Sequence, residues 1–321
     1  MLTYPESVVI EEQGPRDGLQ AETLFVPTAT KLELIRACVD SGLKRIQVTS
    51  FVNPQMVPQL ADAEDLCAGL RKADGVIYSA LALNARGMQR AVDAGMTHVE
   101  ASISASDAHS RRNANLSLPE ARRIFRDMLK IAMSAGVAVR GGLQCVFGCR
   151  YEGRIDPAAV IDMARQHLDQ GVDEIALADS TGMADPRSVA EICSAVVEIA
   201  GGKPVFLHLH DTEGKGLANV LSAMQAGVRH FDATFGGTGG CPFIKGATGN
   251  IATEDVVVML DQMGIRSGID AAGIAAVSRS LEDYLGRRFS GKMHRLLARD
   301  DIRILRRSLP DFKAWGTSNE P

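Results

Sequence analysis

His208 and His210 are separated by a single residue in the stretch PVFLHLHDTEGKG. The residues before them are apolar and partly β-branched, so the segment reads as a buried strand. Side chains two apart on a strand leave the same face. The imidazoles therefore project together, which is what a divalent ion needs from a pair of ligands. Two hydrogen-bonded structural histidines would give the same pattern, so the reading depends on whether oxygen ligands are on offer. Two segments supply them: GPRDGLQ (14–20), which holds Asp17, and GATGN (246–250), which ends in Asn250. Asp17 with the two histidines makes a 2-His-1-carboxylate set, and Asn250 adds a neutral carbonyl oxygen. Mixed nitrogen and oxygen donors with room for water suit Mg²⁺ or Mn²⁺. Such a site polarises a bound carbonyl or hydroxyl oxygen. Non-haem iron uses similar ligands, usually on a β-sandwich.

Two more residues carry reactive groups. Arg16 adjoins the metal carboxylate; it either forms an ion pair or clamps a carbonyl or carboxylate oxygen through its planar guanidinium. Cys241 lies in the glycine-rich run FGGTGGCPFIKGATGN (235–250). A thiol on such a loop can move a proton, attack as a nucleophile, or sit inert.

These residues need a scaffold that gathers them. Short apolar strands read at 8–12, 45–50, 76–83, 98–105, 138–147, 174–179, 204–210 and 230–235. Amphipathic helices read near 28–41, 59–72, 85–94, 118–135, 157–170, 186–200, 215–226 and 253–263. Many helices end at a glycine just before the next strand, as in VDSGLKRI and MQAGVRHF, where glycine relieves a left-handed C-cap. Eight alternating strand–helix units predict a closed (β/α)8 TIM barrel, and no GxGxxG after the first strand supports an open dinucleotide-binding sheet. The barrel is expected over 1–268. Residues 269–321 form a C-terminal helical extension that packs on the barrel or joins subunits of a homo-oligomer, a dimer or tetramer.

In such barrels chemistry sits at the C-terminal ends of the strands. That places Glu12, Arg16, Asp17 and Gln20 after strand one, Gln47, Thr49 and Ser50 at strand two, and Arg140 and Gln144 on strand five. Asp179 and Ser180 follow strand six, and the last loop supplies Cys241 and Asn250. Convergence of polar groups from many strands is the residue-level case for an enzyme.

Composition narrows the partners. The chain has 321 residues, 45% hydrophobic, with a formal net charge of −4. That balance argues against a general nucleic-acid binder, and no apolar run approaches a membrane span. The N-terminal MLTYPESVVIEE lacks a signal or transit pattern, so a cytoplasmic protein is expected. Six cysteines in a chain this long do not make a disulfide scaffold.

The stretches GPRDGLQ, VTSFVNPQMVPQLAD, HLHDTEGKGLANVLSAMQAGV and GGTGGCPFIKGATGNIATEDVVVML resemble 3-hydroxy-3-methylglutaryl-CoA lyases, in order and over roughly residues 5–290. The resemblance implies a retro-Claisen cleavage that yields acetyl-CoA and a 3-keto acid. It implies Asp17, His208, His210 and Asn250 as metal ligands, and Arg16 as the group that stabilises the enolate oxygen. Cys241 would protonate the enolate carbon, Asp179 would lie near the scissile bond, and Gln20 and Ser50 would line the pocket. The acyl-CoA thioester is the expected partner, with Arg287, Arg288 and Lys292 placed either to meet its phosphates or to form a solvated patch. A condensing acyltransferase of the isopropylmalate synthase type and a non-catalytic relative are the competing readings.

Two positions depart from the family pattern. Strand two reads IQVTSF, with Gln47 where the family carries a glutamate, which removes a charge near the metal; Glu12 could partly compensate. Strand five reads RGGLQC, with Gly142 where family members carry a bulky aromatic. A glycine there predicts an enlarged pocket and a longer or branched C3 substituent on the substrate.

Overall fold

The computed structural model describes residues 3–240 and 249–297. The eight strands are β1 (Val9–Glu12), β2 (Arg45–Ser50), β3 (Ile77–Ala82), β4 (His98–Ser104), β5 (Ala138–Gln144), β6 (Glu174–Ala178), β7 (Val205–His208) and β8 (His230–Ala233). They pair in parallel and in order, and β8 returns to β1 to close the barrel, with Val9 opposite His230 and Glu12 opposite Ala233. Every strand lies where the apolar runs predict it.

The helices are α1 (Thr28–Asp40), α2 (Ala63–Gly69), α3 (Ala85–Asp93), α4 (Asp107–Ala114), α5 (Leu118–Ser134), α6 (Pro157–Asp169), α7 (Pro186–Ala200), α8 (Gly216–Gln225), α9 (Thr253–Gln262), α10 (Ala271–Leu285) and the short α11 (Met293–Leu296). The sequence does not announce α4. Its run DAHSRRNA lacks a core-facing apolar stripe, and what holds it is its N-cap, the Ser106 hydroxyl accepting from the His109 backbone N–H at 3.0 Å. The helix expected over 59–72 is instead a tight turn (Pro58–Leu60) followed by α2. Helix α10 lays Ile274, Val277 and Leu281 into the same core that fills the space between barrel and helices.

Inside the barrel, side chains alternate between the lumen and the helix layer. On β5 the inward residues are Arg140, Gly142 and Gln144, while Gly141 faces His167 on α6. The sequence reading puts Arg140 at the mouth with the substrate. The structure places it lower, buried and paired with Glu11, with Asp232 at 3.2 Å and Glu174 at 3.3 Å. The Phe206 ring lies 3.6 Å from its guanidinium carbon. Flanking carboxylates keep it firmly charged even though it is buried.

Candidate active site

The chain leaves β1 in one wide turn, Gly14–Gly18, in which both Asp17 and Gly18 donate their backbone N–H to Gln13 O. Wide turns of this kind occur often at functional sites. Glycine is required at its start: a β-carbon on Gly14 would lie 2.4 Å from the Phe235 ring of the loop after β8. The turn delivers Asp17 to the mouth of the barrel beside His208 and His210, which β7 and the residues after it present on one face.

The three form a compact group. His208 Nε2 and His210 Nε2 are 3.2 Å apart, and Asp17 Oδ2 lies 3.8 Å from the first and 3.9 Å from the second. It is the cluster of metal-ligand character found among the described residues. Asn250 donates through Nδ2 to Asp17 Oδ2 at 2.6 Å, while its buried Oδ1 has no partner among the described residues. Leaving a buried carbonyl oxygen unsatisfied costs about 1–3 kcal/mol. Beside a carboxylate and two imidazoles, that oxygen fits a fourth ligand to a divalent ion.

Other side chains fix these three groups. Asp232 lies 3.3 Å from His208 Nδ1, which selects the tautomer that leaves Nε2 open to a metal. Asp232 and Asp17 outweigh burial and raise the His208 pKa. Burial, helped by neighbouring His208, pushes His210 down to about 4, so it is neutral at pH 7. Burial opposes the charge on Asp17, but Arg16 and the two histidines overcome it and hold the carboxyl well below its ordinary range. Deprotonated carboxylate and neutral imidazole are the forms that bind metal.

Arg16 is held at three points. Its Nε donates to Gln47 Oε1 at 2.5 Å, NH1 to Asp17 Oδ1 at 2.5 Å and NH2 to Gln13 Oε1 at 2.8 Å. It lines a cavity of about 420 Å³ at the barrel mouth together with Asp17, Gln20, Ser50, His208 and His210. Gln20 also donates to Asp17 Oδ1 at 2.5 Å.

Other expected site residues stand apart from this cavity. Buried Glu12 accepts from Gly14 N at 2.7 Å, Phe235 N at 2.8 Å and Thr253 Oγ1 at 2.7 Å. It ties the β1 turn to the β8 loop, and burial pushes its carboxyl up to about 8. Asp179 accepts from Met183 N at 3.0 Å and Ala184 N at 3.2 Å, which shapes the turn after β6; burial pushes it up to about 6. Its neighbour Ser180 lines the cavity. Cys241 lies outside the described residues. Arg287 pairs with Glu22, and Lys292 Nζ sits 3.9 Å from Asp255.

The two departures in strands two and five meet at one residue the sequence reading missed. Gln47 passes its amide N–H to Glu100 Oε2 at 3.1 Å while its carbonyl holds Arg16. A carboxylate at 47 would face Glu100 with like charge, so the amide suits its neighbour. A β-carbon on Gly142 would lie 2.4 Å from Glu100 Oε1 and 2.6 Å from Ser102 Oγ. The space left at Gly142 is therefore not an open apolar pocket; Glu100 and Ser102 of β4 lean into it. The signal was present in HVEASISA: residues 98, 100, 102 and 104 alternate polar against apolar, so a polar row faces the lumen.

With this geometry in view, the comparisons decide the lineage. Residues 7–281 match the HMGL-like family. The chain belongs to the HMGL-like family. Among its relatives, the bovine mitochondrial hydroxymethylglutaryl-CoA lyase is 40% identical over 291 residues, 91% of this chain and 90% of that protein. A hydroxymethylglutaryl-CoA lyase of Bacillus subtilis is 37% identical over 286 residues, 89% of this chain and 96% of the other. A solved HMG-CoA lyase from Acinetobacter baumannii, in complex with coenzyme A and 3-methylmalate, superposes with a TM-score of 0.87 at 34% identity and covers 100% of this chain and 99% of its own. Within the HMGL-like family, the eight-stranded barrel and the Asp17–His208–His210 cluster supply the scaffold and the polar centre of the mouth.

Proposed function

We propose that this protein is a divalent-metal-dependent acyl-CoA lyase that cleaves a 3-hydroxy-3-substituted glutaryl-CoA thioester to acetyl-CoA and a 3-keto acid. The observation that carries this reading is the convergence at the barrel mouth of Asp17, His208 and His210 with the unpartnered Asn250 Oδ1, next to a guanidinium held at three points. A bound Mg²⁺ or Mn²⁺ would supply Lewis-acid polarisation of the substrate's hydroxyl and carboxylate oxygens. Asp17, His208, His210 and Asn250 would hold it.

The chemistry then falls to the chain's own groups. The C3 hydroxyl passes its proton to solvent water in the cavity, the oxygen's electron pair forms the new carbonyl, and the C2–C3 bond breaks. Its electron pair passes to the thioester as an enolate, which takes a proton at C2 to become acetyl-CoA. Arg16 meets the charge that develops on the thioester oxygen; it is already oriented, so little reorganisation is needed when the charge appears. Cys241, one residue beyond cavity-lining Gly240 in the chain, serves as the proton donor to C2 in this reading. Glu12 and Asp179 act by holding the loops after β1, β8 and β6. No described helix is long and apolar enough to cross a membrane, and a water-borne thioester substrate is compatible with the cytoplasmic location expected from the sequence.

The test is direct. Purified protein with Mn²⁺ or Mg²⁺ should release acetyl-CoA from 3-hydroxy-3-substituted glutaryl-CoA thioesters, and chelation should abolish it. His208→Ala should lose metal occupancy and at least a thousandfold in turnover. Full activity in that variant or after chelation would end the metal-dependent reading. A condensing acyltransferase would instead consume acetyl-CoA when offered a 2-keto acid.

A further inference from the structure

The cavity has two unlike sides. Toward β1, β7 and β8 it holds Arg16 and the metal cluster. Toward β4 and β5 it holds Glu100, Ser102, His109 and Gln144, with Asn113 of α4 at the far end. A second, narrower space continues outward from this side, lined again by Ser102, His109, Asn113 and Gln144. This polar arm is not needed to hold a metal, and none of its side chains reaches the ligand set.

The arm has hydrogen-bonding capacity to spare. Glu100 uses Oε2 for Gln47, while Oε1, which fills the space over Gly142, has no hydrogen-bond partner among the described residues. Burial raises the Glu100 pKa, with Arg140 opposing. Gln144 Nε2 donates to Ser102 Oγ at 3.2 Å. That contact leaves the Ser102 proton and the Gln144 carbonyl oxygen for a ligand. His109 Nδ1 lies 3.1 Å from Ser104 Oγ, so Nε2 is its nitrogen on offer, and burial lowers its pKa and favours the neutral ring.

We propose that this β4–β5 arm receives the C3 substituent of the substrate and selects one that carries a hydroxyl over an alkyl group of the same size. The inference rests on the acyl-CoA lyase reading and names its substrate class. An alkyl group pushed into the arm would strip water from Glu100, Ser102 and Gln144 and return no hydrogen bond. A hydroxyl donates to Glu100 Oε1 and accepts from Ser102 or His109. Sites built to bond a substrate hydroxyl reject the analogue that lacks it far more strongly than apolar pockets discriminate by size. Gly142 is part of the device, because any side chain there would displace the Glu100 carboxylate.

An isosteric pair tests this: 3-hydroxy-3-(hydroxymethyl)glutaryl-CoA against 3-hydroxy-3-ethylglutaryl-CoA, with Mn²⁺-loaded full-length protein. The hydroxymethyl compound should show at least a tenfold higher kcat/KM. Ser102→Ala and Glu100→Leu should each shrink that ratio to threefold or less, with Mn²⁺ occupancy unchanged by calorimetry. Should Glu100→Leu fail to fold, Ser102→Ala decides. Equal or better cleavage of the ethyl compound by the wild-type protein overturns the proposal. If neither thioester is cleaved, the lyase reading fails and calorimetry of thioester binding decides for the arm: tenfold tighter binding of the hydroxymethyl compound supports it, and equal binding overturns it.

Discussion

Two buried charged clusters share the lumen of one barrel. The lower one centres on Arg140, whose guanidinium meets Glu11, Asp232 and Glu174, with Glu100 at 3.7 Å. The upper one centres on Asp17, His208 and His210. Both are buried and both mix signs, yet they differ in how completely they satisfy themselves. The lower cluster sets two cations, Arg140 and Arg45, among four carboxylates, and both guanidinium groups lie over the Phe206 ring. The upper one brings three ligand-type groups together and leaves the Asn250 carbonyl oxygen without a partner among the described residues. Residue types alone would not separate a structural knot from a reactive centre; open valences do. Asp232 belongs to both, with one oxygen toward Arg140 and the other toward His208. The lower cluster is thereby the mount for the upper.

If the contrast is sound, the clusters should fail differently. Arg140→Met should destabilise the protein by about 3–5 kcal/mol in denaturant unfolding at pH 7, because it strands Asp232 and Glu100 without their arginine while Arg45 still holds Glu11 and Glu174. Unchanged stability would mean that the lower cluster is not internally balanced. Asp232→Asn tests the shared element. It should weaken Mn²⁺ affinity by about 10–100-fold through the loosened His208 ring, an effect of about 1.4–2.7 kcal/mol. Calorimetry that finds native affinity would separate the two clusters after all. The smallest effect concerns a histidine in neither. His167 stacks on Phe125 at 3.8 Å, and burial, with Arg122 adding, pushes its pKa down to about 3. An unfolded histidine takes up a proton near pH 6.5, so stability from the neutral ring is complete above that pH and is lost as pH falls toward 3. The slope approaches about 1.4 kcal/mol per pH unit at most. His167→Leu should flatten the acid limb of the stability profile while leaving metal affinity at pH 7 unchanged; an identical acid limb would show that His167 does not titrate in that window.

What the sequence discloses follows from what alternation encodes. Apolar runs make the eight strands legible, period two fixes the common face of His208 and His210, and the strand ends place the oxygen donors after β1 at the mouth. It does not fix depth along the barrel axis. Arg140 and Gln144 share a face of β5, yet only Gln144 reaches the mouth cavity. Nor does it say which neighbour leans into a gap. Gly142 reads as missing volume, and only the packing reveals that Glu100 and Ser102 fill it. Glu12 and Asp179 carry the right chemistry in the right loops, but their carboxylates turn back to backbone N–H groups that no pattern advertises.

The contact between Asn250 and Asp17 joins positions 233 residues apart, across the seam where β8 meets β1. The proposed ligand set is thus divided between the two ends of the barrel's chain, and a form with an open seam would not bring it together. On the proposed metal reading, affinity is linked to the native topology: a bound ion would stabilise the closed ring by mass action and leave open-seam intermediates unaided. During refolding, ion uptake should be the final event, a spectroscopic clock for ring closure.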